Sequence, residues 1–181
     1  MSARIILISG SPGTGKTSVS QILSEQSASD RAVLIHVDDF WQCICKGYVY
    51  PWLENAGIQN DAVIEAVAAS AKIFAENGYE VYVEGTIGPW YLEPWEKMAE
   101  GGIDVRYVIL RPDEDAAVSR AAARRQREHF PLGVDIIRGV WRSFNNLGRY
   151  ESHVVDTTGQ TVDESAAVVQ KRLAEKGFCL M

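Results

Sequence analysis

A chain of 181 residues, 46% hydrophobic and 23% charged, has the length and balance of one globular domain that buries its core without disulfides or structural metals. Its formal net charge of −6 argues against a surface built for nucleic acid or an anionic membrane. Cys43, Cys45 and Cys179 are too few for a disulfide framework, and no second ligand pair completes a metal site around the first two. The first apolar run meets Gly10 too early for a signal sequence, and no stretch approaches the ~20 apolar residues of a membrane span, so the expected setting is the cytoplasm.

Residues 4–9 (Arg-Ile-Ile-Leu-Ile-Ser) form an apolar run with almost no alternation, the pattern of a strand buried on both faces. A glycine-rich loop follows, then a helix over 17–26 with Val19, Ile22 and Leu23 on one face. Residues 32–37 read as a second strand ending in Asp38-Asp39. After an irregular, aromatic stretch, Asn60 or Asp61 is expected to cap a helix reaching residue 75, with Val63, Ile64, Val67, Ala71 and Phe74 inward and Asn77-Gly78 as its stop. Strands are expected over 79–83 and 104–110. Pro112-Asp113-Glu114-Asp115 starts a helix that runs to about residue 127. A helix over 134–147, a short strand over 153–155 and a helix over 163–176 complete the chain. Alternating strands and helices predict a parallel sheet covered on both faces, in a single domain over 1–181.

The loop Gly10-Ser11-Pro12-Gly13-Thr14-Gly15-Lys16-Thr17 matches G-x-x-x-x-G-K-[ST], with a buried strand before it and a helix after it. Glycines let successive N–H groups turn inward onto phosphate oxygens, and the helix that opens past Gly15 adds its positive end. Lys16 suits the β- and γ-phosphates, the Thr17 hydroxyl suits Mg²⁺, and Ser18 lies in the first helical turn. A nucleotide site for ATP with Mg²⁺ is the expectation.

No Asn-Lys-x-Asp segment for guanine is present, and a mechanical ring ATPase usually needs a longer module. A small-molecule kinase needs two further features: a carboxylate near the acceptor hydroxyl and an arginine-bearing lid that excludes water. Asp38 and Asp39 stand at the sheet edge where ligands bind in open α/β folds, placed to orient a hydroxyl, take its proton or hold Mg²⁺ through water. Glu84, ending the third strand, is a candidate outer ligand of Mg²⁺. Arg120, Arg124 and Arg127 recur at helical spacing ahead of His129-Phe130-Pro131, which makes roughly 120–138 the candidate lid.

These residues resemble the small-molecule branch of the P-loop kinases: shikimate, gluconate and uridine kinases and chloramphenicol phosphotransferase. Val37-Asp38-Asp39-Phe40-Trp41 is similar to the uridine-kinase segment whose first Asp activates the acceptor, which favours Asp38 as base. Glu84-Gly85-Thr86 is similar to the Glu-Gly segment of that family, and the run from Arg120 to Phe130 resembles a gluconate-kinase lid. The resemblance implies a five-stranded parallel sheet with the loop on its central strand. It also implies adenine contacts from the segment Asp156-Thr157-Thr158-Gly159, chiefly Thr157 and Gly159. The lid pattern is incomplete, and the glycine triplet of shikimate kinases has no counterpart.

Residues 40–55 and 86–96 hold Phe40, Trp41, Tyr48, Tyr50, Trp52, Trp90, Tyr91 and Trp95, a composition suited either to an acceptor pocket or to a satellite core. Lys46 is their one cation, although Arg138 or Arg142 can also serve an acceptor carboxylate. The expected activity is transfer of the γ-phosphate of ATP to a hydroxyl of a sugar acid, shikimate-like metabolite, nucleoside or antibiotic, by Lys16, Asp38, Arg124 and Arg127. The rivals are an ATP-hydrolysing regulatory module and a kinase of a polynucleotide or sugar nucleotide. The protein is expected to act as a monomer or homodimer, without nucleic acid or membrane.

Overall fold

The computed structural model describes residues 4–128 and 133–180, with the side chains of 124–128 left out. Five strands form one sheet: β1 (Arg4–Ser9), β2 (Ala32–His36), β3 (Glu80–Glu84), β4 (Asp104–Leu110) and β5 (Val154–Val155), in the order β2-β3-β1-β4-β5. Every pairing between them is parallel, and β1 lies at the centre with Ile5, Ile6, Leu7 and Ile8 fully buried. The uninterrupted apolar run therefore reports a strand packed on both faces. Helices α1 (Lys16–Glu25), α2 (Val37–Gln42), α3 (Gly57–Glu76), α4 (Glu93–Glu100), α5 (Glu114–Glu128), α6 (Val134–Ser143) and α7 (Val162–Ala174) accompany the sheet.

Two apolar clusters lie on opposite faces. One joins Ile5, Leu7 and Tyr107 to α3 and α4 through Val67, Ala71 and Trp95, and the other joins Ile6, Ile8 and Val108 to α1 and α7 through Val19, Leu23 and Val169. The fold is thus a three-layer α/β arrangement with the expected five-stranded parallel sheet.

Several boundaries differ from expectation for physical reasons. β2 ends at His36, because Val37 turns into α2 and presses against Gly85, whose added Cβ would come within 2.6 Å of the valine Cβ. Asp38 and Asp39 consequently lie in the first turn of α2 rather than on a strand end. α3 begins at Gly57, leading on from a short 3₁₀ turn, and Asn60 is not its cap. Asn60 is buried, accepting a hydrogen bond from Trp41 Nε1 at 3.2 Å and donating to the Pro51 carbonyl at 2.8 Å. Phe74, expected inside, is exposed and meets Tyr79 edge to face. α6 stops at Ser143, so that Phe144 buries itself instead of continuing the helix. A feature missed altogether is the chain end: Tyr107 N–H donates to the Phe178 carbonyl and Leu180 N–H to the Val105 carbonyl, which makes an antiparallel contact on the edge of β4.

Among the described residues no helix is long and apolar enough to cross a membrane.

Candidate nucleotide and acceptor site

The loop from Gly10 to Thr17 leaves the C-terminal end of β1 and runs into α1. Gly15 stands at the N-cap of α1 with φ 92°, so the chain enters the helix through a left-handed residue and no side-chain cap occupies the first N–H groups. Those donors stay open to an anion. Gly13 has φ 83° and lies so close to α5 that an added Cβ would fall 2.1 Å from the Ala117 carbonyl oxygen. Ser11 and Thr14 are buried, and the Ser11 carbonyl accepts from both Thr14 Oγ1 and Lys16 Nζ, each at 3.0 Å. Lys16 is therefore held back along the loop, over the nest of amides that its motif predicts.

The carboxylate of Glu84 is the hub of the site. It is only 6% exposed, yet its Oε1 accepts from Thr17 Oγ1 at 3.3 Å and lies 2.8 Å from His36 Nδ1. The register of the sheet explains the meeting, since His36 pairs with Glu84 across β2 and β3, and Ile8 pairs with Glu84 across β1 and β3. A hydroxyl and a carboxylate oxygen thus share one spot beside the loop, a donor set of hard oxygens that fits Mg²⁺ in the company of phosphate oxygens. His36 escaped the sequence reading. It lies within the strand expected over 32–37, and only the pairing register brings it to Glu84.

The floor next to the loop is rigid. Ser9 Oγ donates to the Ile87 carbonyl at 2.7 Å and accepts from Ile87 N–H at 3.0 Å, while Tyr107 Oη donates to the same carbonyl at 2.6 Å. Burial pushes the Tyr107 hydroxyl well above the usual tyrosine range. On the other flank, Thr157 is buried with its Oγ1 3.5 Å from the Thr14 carbonyl, and Arg120 Nη2 donates to the Thr157 carbonyl at 3.2 Å. Arg120, Thr157 and the loop therefore converge, with Gly159 (φ 69°) two residues beyond.

The remaining candidates divide. Asp38 and Asp39 are exposed in the first turn of α2, just past the strand end that pairs with Glu84, and Phe40 is half-buried. Trp41 turns inward, 7% exposed, with its N–H on Asn60, so it serves the core. Trp95 is fully buried as well. Trp90 is 54% exposed and lies over Gly88, with ring contacts to Tyr91 and Phe144. Arg138 and Arg142 pair with Glu114 on α5, and Arg138 also reaches Asp115. The side chains of Arg124 and Arg127, together with His129, Phe130 and Pro131 of the expected lid, lie outside the described residues. Among the described residues Cys43, Cys45 and Cys179 are free exposed thiols, and no group of three or more His, Cys, Asp and Glu side chains gathers as a metal site.

A family model described as an AAA domain matches residues 6–132, from the central strand through the loop to α5 and beyond. The chain belongs to that AAA domain family. Among solved structures this AAA domain is similar to a sugar kinase from Janibacter sp. HTCC2649, at 14% identity and TM-score 0.68, covering 96% of this chain and 95% of that one. It is similar to a gluconokinase from Sinorhizobium meliloti 1021 at 18% identity and TM-score 0.65, covering 96% and 95%. A chain of the Pnkp1/Rnl/Hen1 RNA repair complex matches at 15% identity and TM-score 0.66, covering 83% of this chain but only 46% of its own length. No curated protein gives a significant match. The AAA domain accordingly has the P-loop nucleotide-binding fold of the small-molecule kinases.

Proposed function

We propose that the protein transfers the γ-phosphate of ATP to a hydroxyl group of a small molecule. The observation that carries this reading is the contact of Thr17 with Glu84 beside the loop that carries Lys16, with Asp38 on the element that follows the neighbouring strand. A nucleotide-holding module needs only the first group. The added carboxylate at the acceptor side is what phosphoryl transfer requires.

The open amides of the loop and of α1 hold the phosphates, and Lys16 exchanges the Ser11 carbonyl for phosphate oxygens. Thr17 and Glu84 are the residues that would hold Mg²⁺, which supplies neutralising charge on the phosphates when bound. Asp38 orients the acceptor hydroxyl and accepts its proton as the acceptor oxygen bonds to phosphorus and the bond from phosphorus to the β-phosphate oxygen breaks. Arg120, Thr157 and Gly159 line the nucleotide side, and Arg124 and Arg127 are assigned to the charge that develops on the transferred group.

The test is incubation with ATP, Mg²⁺ and a panel of sugars, sugar acids, shikimate, nucleosides and hydroxylated antibiotics, with phosphorylated products read by mass. A new phosphoester on one panel member is the expected result. Tight ATP binding with release of inorganic phosphate alone, whatever the acceptor, defeats the proposal in favour of a hydrolysing module.

A further inference from the structure

His36 has no part in the phosphate-loop motif, yet its ring closes on the carboxylate at the centre of the site. Nδ1 lies 2.8 Å from Glu84 Oε1, and Thr17 Oγ1 donates to that same oxygen at 3.3 Å. A carboxylate only accepts, so the tautomer with its proton on Nδ1 is the one that makes the contact. The two bonds are unequal. An O–H···O bond normally spans about 2.5–3.0 Å and an N–H···O bond about 2.7–3.2 Å, so the Thr17 contact is long and the His36 contact ordinary. A glutamate side chain has several torsions to settle, and Thr17 alone holds this one loosely. The bond from His36 decides which way the carboxylate faces.

The backbone around the pair is equally determined. His36 ends the stretch of β2, from Ala32, that pairs with β3, and its partner in the register is Glu84. One residue further on, an added Cβ on Gly85 would come within 2.6 Å of Val37 Cβ, so the two chains touch there as well. The strands are thus joined without help from a side-chain bond, and the bond from His36 is not needed to pair them. Glu84 is buried and His36 half-buried, which limits the water that would compete for the carboxylate. The Thr17 hydroxyl offers lone pairs to a metal only while its proton is directed elsewhere, and Glu84 Oε1 is the acceptor that directs it.

We propose that His36 is a positioning residue of the metal site, which turns the Glu84 carboxylate onto the Thr17 hydroxyl so that both are set for Mg²⁺ before the nucleotide arrives. Partners that orient metal ligands in this way are worth about 10–100-fold in metal affinity. The inference rests on the nucleotide and Mg²⁺ part of the reading above and is independent of the acceptor.

The test titrates Mn²⁺, whose free ion is counted by electron paramagnetic resonance, into protein saturated with a non-hydrolysable ATP analogue. His36→Leu is expected to weaken Mn²⁺ binding about tenfold or more. His36→Asn, which brings a side-chain N–H to the place of Nδ1, restores most of that loss. Binding of the analogue without metal, measured calorimetrically in EDTA, stays at the wild-type value in both variants, and His36→Ala replaces the leucine variant should that one fail to fold. Wild-type Mn²⁺ affinity in the apolar variant, equal losses in the apolar and asparagine variants, or a matching loss of metal-free analogue binding each overturns the inference. A wild-type protein that binds the analogue but no Mn²⁺ overturns the metal assignment with it. Release of inorganic phosphate without transfer defeats only the phosphotransfer reading.

Discussion

Replacing Gly13 with alanine tests how the phosphate loop is held against the rest of the domain. The residue has φ 83°, and its added Cβ would lie 2.1 Å from the Ala117 carbonyl oxygen and 3.0 Å from the Ala121 nitrogen. Even a close carbon–oxygen contact needs about 3.3 Å, so the loop and α5 would have to part by about 1 Å. Left-handed strain adds about 1–2 kcal/mol and overpacking about 1–3 kcal/mol, together roughly 2–5 kcal/mol. At about 2–4 °C per kcal/mol for a chain of this size, the melting temperature of Gly13→Ala falls by roughly 4–20 °C. Gly15→Ala is the control: its φ is 92°, but nothing lies within 4 Å of the added Cβ. Only the strain remains there, and the expected fall is about 2–8 °C. Thermal unfolding without nucleotide reads both variants. Equal losses, or a smaller loss for Gly13→Ala, would refute the tight seating of the loop on α5.

Other consequences follow from the same contacts. Glu84→Gln keeps the shape but weakens the hold on Thr17 and the metal, so the Mg²⁺ concentration for half-maximal ATP turnover rises about tenfold, in the range for partners that orient metal ligands. Trp41→Phe leaves buried Asn60 Oδ1 without its donor, and denaturant titration should show a loss of about 1–3 kcal/mol with ATP affinity unchanged. Arg111 first, and the Leu147 N–H second, hold the Glu151 carboxyl down at about 2. A carboxyl depressed in the folded state stabilises fully above its unfolded value and loses that contribution as pH falls from about 4.5 toward 2. The pair is partly exposed, so about 1 kcal/mol or less is at stake, and the gap in melting temperature between wild type and Glu151→Gln should close across that window.

The layers of the fold were readable because the chain states them in local terms. The apolar run of β1, the glycine loop and the acidic start of α5 each carry their own signal within a few residues. Errors arose where tertiary partners overrule local chemistry. Asn60, one of two residues that could cap a helix, is instead consumed by Trp41 and Pro51, and Trp41, whose segment suited either a pocket or a satellite core, is drawn into the core by that bond. Thr161 and Glu164 form a reciprocal capping box that fixes the start of α7 at Val162, a T-x-x-E signal present in the sequence and overlooked. His36 could not be found by any local rule, since its meeting with Glu84 exists only through the register of β2 on β3. Within the site, the loop and Glu84 were legible from motif and strand position. The stretch from Phe40 to Asn55 is legible in the sequence only as aromatic composition, because its ties from Gln59 to Val49 and from Asn60 to Pro51 exist only in the fold.

The central claim, phosphoryl transfer directed by Asp38, is tested most directly with ATP labelled at the γ-phosphate, following the label in wild type and in Asp38→Asn at equal nucleotide occupancy. Label on the acceptor is expected with the wild-type protein, and a loss of transfer of about 100-fold or more in the variant, the usual worth of a positioned base. Label appearing only as inorganic phosphate, at the same rate in both proteins, would contradict it.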